Sequence, residues 1–199
     1  MLLKTHANSK GFTIVELLMV IVVIAVLASI TVVAYTGVNT RSEDVQIASK
    51  LKSMVQMIEA YAAVNDGKVP QADWACVGEP EDFPAENGYT AEWCHQPYQA
   101  PPIPTGSDHP ISSVTNTKFK TVVSRMPSSR IPEVDLGGGT KYRGVLYDSS
   151  ANQNGQKPVL QYYVKGVRTS CPYGIRYYSG SSYTVCEYRF TTVLSETGN

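Results

Sequence analysis

A chain of 199 residues has room for one domain and an appendage, and its 43% hydrophobic content gathers so heavily near the start that an anchor and a more polar head are expected. Lys and Arg number 17 against 17 Asp and Glu, a balance that argues against a general nucleic-acid binder. The 4 cysteines, Cys76, Cys94, Cys171 and Cys186, are even in number and all follow the apolar run, which fits two disulfides in an oxidising space with three formal connectivities.

Met1 to Gly11 carries Lys4, Lys10 and His6 and no acid, so the positive-inside rule keeps it cytoplasmic and sends the rest outward. Gly11-Phe12-Thr13-Ile14-Val15-Glu16-Leu17-Leu18 then opens a run to Thr40 whose single charge is Glu16. A secretory signal peptide puts its small cleavage residue after the apolar core, whereas Gly11 precedes it, so a cut there keeps the hydrophobic helix. This arrangement resembles the class III signal of type IV pilins and pseudopilins, in which a basic leader ends in Gly, the mature chain starts with Phe and a Glu follows four residues later. Phe12 and Glu16 fill those places. The resemblance is specific from Lys10 to about Tyr35, and beyond Gly67 it rests on architecture and cysteine placement. Ala25 and Val33 stand where many members carry a helix-breaking Gly and Pro.

The resemblance implies cleavage after Gly11 by a prepilin peptidase, N-methylation of Phe12, and assembly through Glu16 with a platform protein and an ATPase. Removing the leader takes away Lys4 and Lys10, leaving 15 basic against 17 acidic side chains. From Leu17 to Tyr35 there is no formal charge, Pro or Gly, and such a helix rises about 28 Å, close to the hydrocarbon thickness of a bilayer. Glu16 is the anomaly, because a carboxylate at the bilayer centre costs roughly 2.5–3.5 kcal/mol. Before assembly it can snorkel to the nearby interface. After cleavage, the Phe12 amine of a neighbouring subunit, cationic at neutral pH, can pair with it.

Beyond the membrane segment, Ile47, Leu51, Met54, Ile58 and Tyr61 recur at alternating spacings of four and three, flanked by Ala48, Val55 and Ala62, so this half is amphipathic and packs its stripe on a sheet. Gly37 alone weakens the join, and one helix from Phe12 to about Asn65 is expected, roughly 80 Å long. Asp66-Gly67-Lys68-Val69-Pro70 ends it with a left-handed Gly and a following Pro.

Val69 to about Pro110 lacks a sustained period and reads as an ordered loop region. A Cys76–Cys94 bridge would close about 19 residues of it, contributing approximately 3 kcal/mol in the chain-entropy model. Sequence proximity pairs the other two, Cys171 with Cys186. Trp74 and Trp93 beside the first pair read as packing around it in preference to a sugar-stacking platform. Thr115–Met126 is a short helix or strand. After Gly137-Gly138-Gly139, read as a flexible connector, Lys141–Tyr147, Val159–Val164, Gly174–Tyr178 and Tyr183–Val193 suggest an antiparallel meander. A tight turn at Gly180-Ser181 sets Cys186 across from Ile175, so Cys171-Pro172 must leave the ladder and fold back.

His95 and His109 read as isolated from each other and from any nucleophile motif, so no catalytic residue, cofactor or metal is assigned. Asp148 to Gly155 offers oxygen atoms of the kind calcium prefers, but a solvated hairpin loop is the better reading. The expected fold is α+β and ladle-shaped: leader 1–11, membrane and assembly helix 12–40, and a head 41–199 with amphipathic helix 41–66, disulfide loop 67–110 and sheet 140–194. The expected function is a structural, non-enzymatic subunit of a type IV pilus-like filament, inserted with a cytoplasmic N-terminus and then extracellular, contacting lipid before assembly and copies of itself after it. The alternatives are a minor pilin or pseudopilin of a secretion or competence machine, and a membrane-anchored adhesin that does not polymerise.

Overall fold

The computed structural model describes residues 11–96, 109–150 and 157–196, with the backbone alone at residues 31–37 and at Gln96. The leader before Gly11, much of the Pro-rich loop and most of the 148–155 segment lie outside the described residues. The chain divides into two compact units, Met1–Ser42 and Glu43–Asn199. Helix α1 (Ile14–Ala63) contributes to both.

In the first unit α1 starts on a capping box. The Thr13 amide and hydroxyl both donate to Glu16 Oε2 at 2.8 Å, and the Glu16 amide donates back to Thr13 Oγ1 at 3.3 Å. Two donors that the helix start would leave unpaired are thus satisfied reciprocally. The helix runs on through Ala25 and Val33 without a break, as expected where no Pro removes an amide donor.

In the second unit the stripe faces inward: Leu51, Met54 and Ile58 are fully buried and Ile47 and Tyr61 nearly so. Met57, which the stripe did not include, is buried beside them. The Gly67 amide caps the helix on the Ala62 carbonyl at 2.9 Å, with Asp66 and Gly67 both at positive φ. Short strands follow: β1 (Lys68–Val69), β2 (Ala75–Cys76) and β3 (His95–Gln96), then α2 (Ser113–Phe119), capped by Ser112 Oγ accepting from the Thr115 amide. The remaining strands are β4 (Arg130–Gly137), β5 (Thr140–Gly144), β6 (Leu146–Asp148), β7 (Val159–Lys165), β8 (Ile175–Ser179), β9 (Tyr183–Arg189) and β10 (Leu194–Ser195). An antiparallel five-stranded sheet runs β2-β6-β7-β9-β8, a three-stranded one runs β3-β5-β4, and β1 pairs with β10 in parallel. The stripe shares one core with Tyr147, Leu160, Tyr162, Val164 and Phe190 from the large sheet and the segment after it. The architecture is α+β, an N-terminal helix with a C-terminal antiparallel sheet.

Four local expectations change. The single strand expected over Lys141–Tyr147 is two strands in different sheets, because the Val145 amide between them turns away to the Ser129 carbonyl at 3.1 Å, while Gly144 lies so close to Cys94 that a Cβ there would be 2.5 Å from Cys94 Cβ. β4 was not expected; Pro132 within it is accommodated because the strand is an edge with a register shift between Arg130 and Val134. Gly137, Gly138 and Gly139, all at positive φ, form the tight β4–β5 turn and not a flexible connector. The sheet is no meander either, since β9 inserts between β7 and β8.

That insertion needs β8 to reach the far side of β9. Gly174 permits the approach: at φ +82 it passes so close that a Cβ would meet the Glu187 carbonyl oxygen at 2.2 Å. The Tyr162 hydroxyl fixes the connection, donating to the Tyr173 carbonyl at 2.5 Å and accepting from the Tyr173 amide at 3.0 Å. Cys171 bonds to Cys186 and Cys76 to Cys94, the pairing expected from proximity. Cys186 faces Arg176, one residue from the expected Ile175, next to a register shift between Arg176 and Tyr178.

Glu79 ties the disulfide loop to the segment after α2. It is 8% exposed, with Oε1 accepting from the Met126 amide at 3.0 Å and Oε2 from Lys120 Nζ at 2.7 Å. The Lys120 bond first, then the Met126 amide, hold its pKa below the ordinary 4.5. A depressed carboxylate contributes stability that is complete above its unfolded value and is lost as pH falls through the folded one. Acid melting curves of the wild type should therefore lose stability below pH 4.5, and those of Glu79→Gln should start lower and fall less over the same range; parallel curves would refute this role.

Candidate functional site: the N-terminal segment

Three of the expected site residues lie together at the start of α1. Gly11, Phe12 and Thr13 precede the helix in non-helical backbone. Nothing approaches within 4 Å of where a Gly11 Cβ would be, and Phe12 is 84% exposed. The Gly11–Phe12 peptide bond thus stands clear of the described residues around it. The four expected disulfide cysteines lie in the second unit, paired as described above.

Glu16 is exposed and holds Thr13 through one oxygen. A carboxylate in the first turn also favours the positive end of the helix dipole. The same charge would offset a cationic amine at Phe12, which would otherwise oppose that dipole. Thr13 is the partner that sequence reasoning passed over, although its signal was present: Thr13-Ile14-Val15-Glu16 has the Thr-x-x-Glu spacing of a capping box before an apolar run.

Past Glu16 the side chains are apolar and outward. Leu17, Leu18, Met19, Val20, Ile21, Val22, Val23, Ile24, Val26, Leu27 and Ile30 are each at least 50% exposed, with no polar face among them. A monomer in water seldom leaves so large an apolar surface unpartnered. Among the described residues no helix is long and apolar enough to cross a membrane.

Other residues singled out from the sequence fall elsewhere. His95 and His109 are not isolated from each other: their ring centres lie 5.1 Å apart, and His95 stacks on Tyr142 at 4.3 Å. The antiparallel bridge between Trp93 and Pro110 draws the two ends of the loop together and the histidines with them. Trp74 packs on the small core of Cys76, Phe83, Cys94, Tyr142 and Leu146, while Trp93 is half-buried at that bridge. Among the described residues no group of three or more His, Cys, Asp or Glu is placed to hold a metal ion.

Residues 6–32 match the family model described as the prokaryotic N-terminal methylation motif. The chain is also similar to the type IV wide pilus major component PilA4 of Thermus thermophilus, 36% identical over 59 residues, which are 30% of this chain and 45% of that protein. The chain therefore spans less than half the length of this curated relative. No solved structure matches it. The exposed helix start thus carries the N-terminal methylation motif, and the chain is similar over part of its length to a type IV pilus component.

Proposed function

We propose that this protein is a structural subunit of a type IV pilus-like filament, inserted as a single-pass membrane precursor and cleaved after Gly11. The observation that carries the reading is the apolar, outward-facing start of α1 within the segment that matches the methylation motif. Lipid covers that surface before assembly and the same segments of other subunits cover it afterwards. The uncharged sequence run goes on to Tyr35, enough for the hydrocarbon core at about 1.5 Å per residue. A head-to-tail contact between copies does not close on itself, so one repeated interface yields a helical filament.

The residue roles follow. Gly11 is the cleavage residue, Phe12 becomes the methylated N-terminus, and Glu16 sets the register of the incoming subunit. Residues 1–11 form the leader, 12–40 the membrane and assembly segment and 41–199 an extracellular head. A prepilin peptidase with methyltransferase activity, an assembly platform and an ATPase are its partners, and the role is structural, without catalysis.

The N-terminal mass of the protein from its native cells tests this. The expected mature chain starts at methylated Phe12, and Gly11→Val is expected to accumulate full-length precursor in the membrane. A Gly11→Val protein that matures to the normal size and N-terminus would overturn the assignment.

A further inference from the structure

We propose that the head carries a binding site for a small carboxylate ligand of sugar-acid size, in the open cleft lined by α1, β4, β5 and the loop around Glu86. The cleft holds about 290 Å³ and is lined by Lys50, Glu86, Arg130, Glu133 and Arg143, among others. That volume, just under the roughly 300 Å³ at which ligand pockets begin, has room for one sugar ring.

Three cations converge here from three different elements, and each of them is held in place by a backbone carbonyl. The Arg143 side chain is 2% exposed. Its guanidinium lies 4.0 Å from the Tyr89 ring centre and 5.6 Å from that of Phe83, and its Nε donates to the Trp93 carbonyl at 3.0 Å. Arg130 Nη1 donates to the Asp82 carbonyl at 3.1 Å, and Lys50 Nζ donates to the Arg130 carbonyl at 2.5 Å. Guanidiniums fixed in this way are pre-organised for a planar carboxylate.

Both guanidiniums lean on a single carboxylate oxygen. Glu86 Oε1 pairs with Arg130 Nη2 and lies 3.3 Å from Arg143 Nη1. The other lining acid, Glu133, also serves Lys141 Nζ at 3.2 Å. Three lining cations against two lining carboxylates and the nearby charge of Asp82 leave no excess positive charge to hold a dianion, which favours a monoanion that displaces Glu86. Burial first, and then the charge of Arg130, lower the proton affinity of Arg143, and burial lowers that of Lys50 against the opposing pull of Asp82. An added anion would relieve both. The amides of Gln46 and Asn87 on the same wall can meet hydroxyls, and Ile131 and Pro132 offer an apolar surface to a ring. In this arrangement Glu86 is the internal competitor of the ligand.

The test uses the full chain in detergent micelles, titrated with glucuronate, glucose and inorganic phosphate while amide shifts are followed by NMR. Glucuronate should bind saturably and glucose should not. Arg130→Gln and Lys50→Met should each weaken glucuronate by roughly tenfold, while Glu86→Gln should tighten it several-fold by freeing the two guanidiniums. Phosphate binding as tight as glucuronate would overturn the monoanion assignment. An absence of saturable glucuronate binding in both the wild type and Glu86→Gln, or unchanged affinity in both cation variants, would overturn the site.

Discussion

Glu16→Val should leave precursor insertion and head folding intact while cutting sheared extracellular filament at least about tenfold, the ratio produced by 1.4 kcal/mol of lost docking free energy. The variant removes the one charge from an otherwise apolar segment, so its cost in lipid falls and insertion is, if anything, easier. In the filament the carboxylate is proposed to meet the Phe12 amine of a neighbour. A buried ion pair often costs as much in desolvation as it returns, and its better-supported use is to select one register. The defect therefore belongs to docking and not to stability.

The capping box supplies the control. Glu16 also accepts from the Thr13 amide and hydroxyl, so losing it frays the first turn as well as removing a charge. Glu16→Gln keeps an acceptor for Thr13 without the charge, and Thr13→Val removes the hydroxyl and keeps the charge. If registration is electrostatic, Glu16→Gln assembles poorly and Thr13→Val nearly normally. Equal defects in Thr13→Val and Glu16→Val would assign the role to the cap. Normal filament yield and register in Glu16→Val would remove Glu16 from assembly.

The parts of this molecule that were legible in advance are those governed by a short-range rule. The α1 stripe follows from helical periodicity, its end from Asp66-Gly67 before Pro70, and the bridge partners from the short loops they close. The N-terminal methylation motif was legible because several residue types occur there in fixed order. What was not legible depends on distant backbone. Nothing local announces that Gly144 lies against Cys94, or that β9 takes the place beside β7. Pro132 and the acids of β4 lower its strand signal, and an edge position rescues it. His95 and His109 were set apart by their spacing in the chain, and a bridge across the loop brought them together. Buried Arg143 gave no signal, because an Arg in a Tyr-Arg-Gly strand looks like any exposed edge residue.

Leu51→Ala is expected to be the most destabilising simple truncation of the α1 stripe, and Lys52→Ala one residue later close to neutral. Leu51 is fully buried in the middle of the stripe, with Ile47 and Met54 buried on its own face of α1, and the core it joins includes Tyr147, Leu160 and Tyr162. Truncating a buried Leu removes its transfer free energy and leaves a cavity, for a typical cost of about 2–5 kcal/mol. The higher part of that range is expected, because the walls around Leu51 come from a helix and a sheet whose hydrogen bonds resist collapse. Lys52 is exposed, and surface changes of that kind stay within about 0.5 kcal/mol. The measurement is urea unfolding of a head fragment beginning at Arg41, with the midpoint compared at constant slope. A large midpoint drop for Leu51→Ala with none for Lys52→Ala would locate the helix–sheet core as the source of head stability. Equal midpoints for the two would mean that the stripe does not pack as described, and that the two disulfides hold the head together without it.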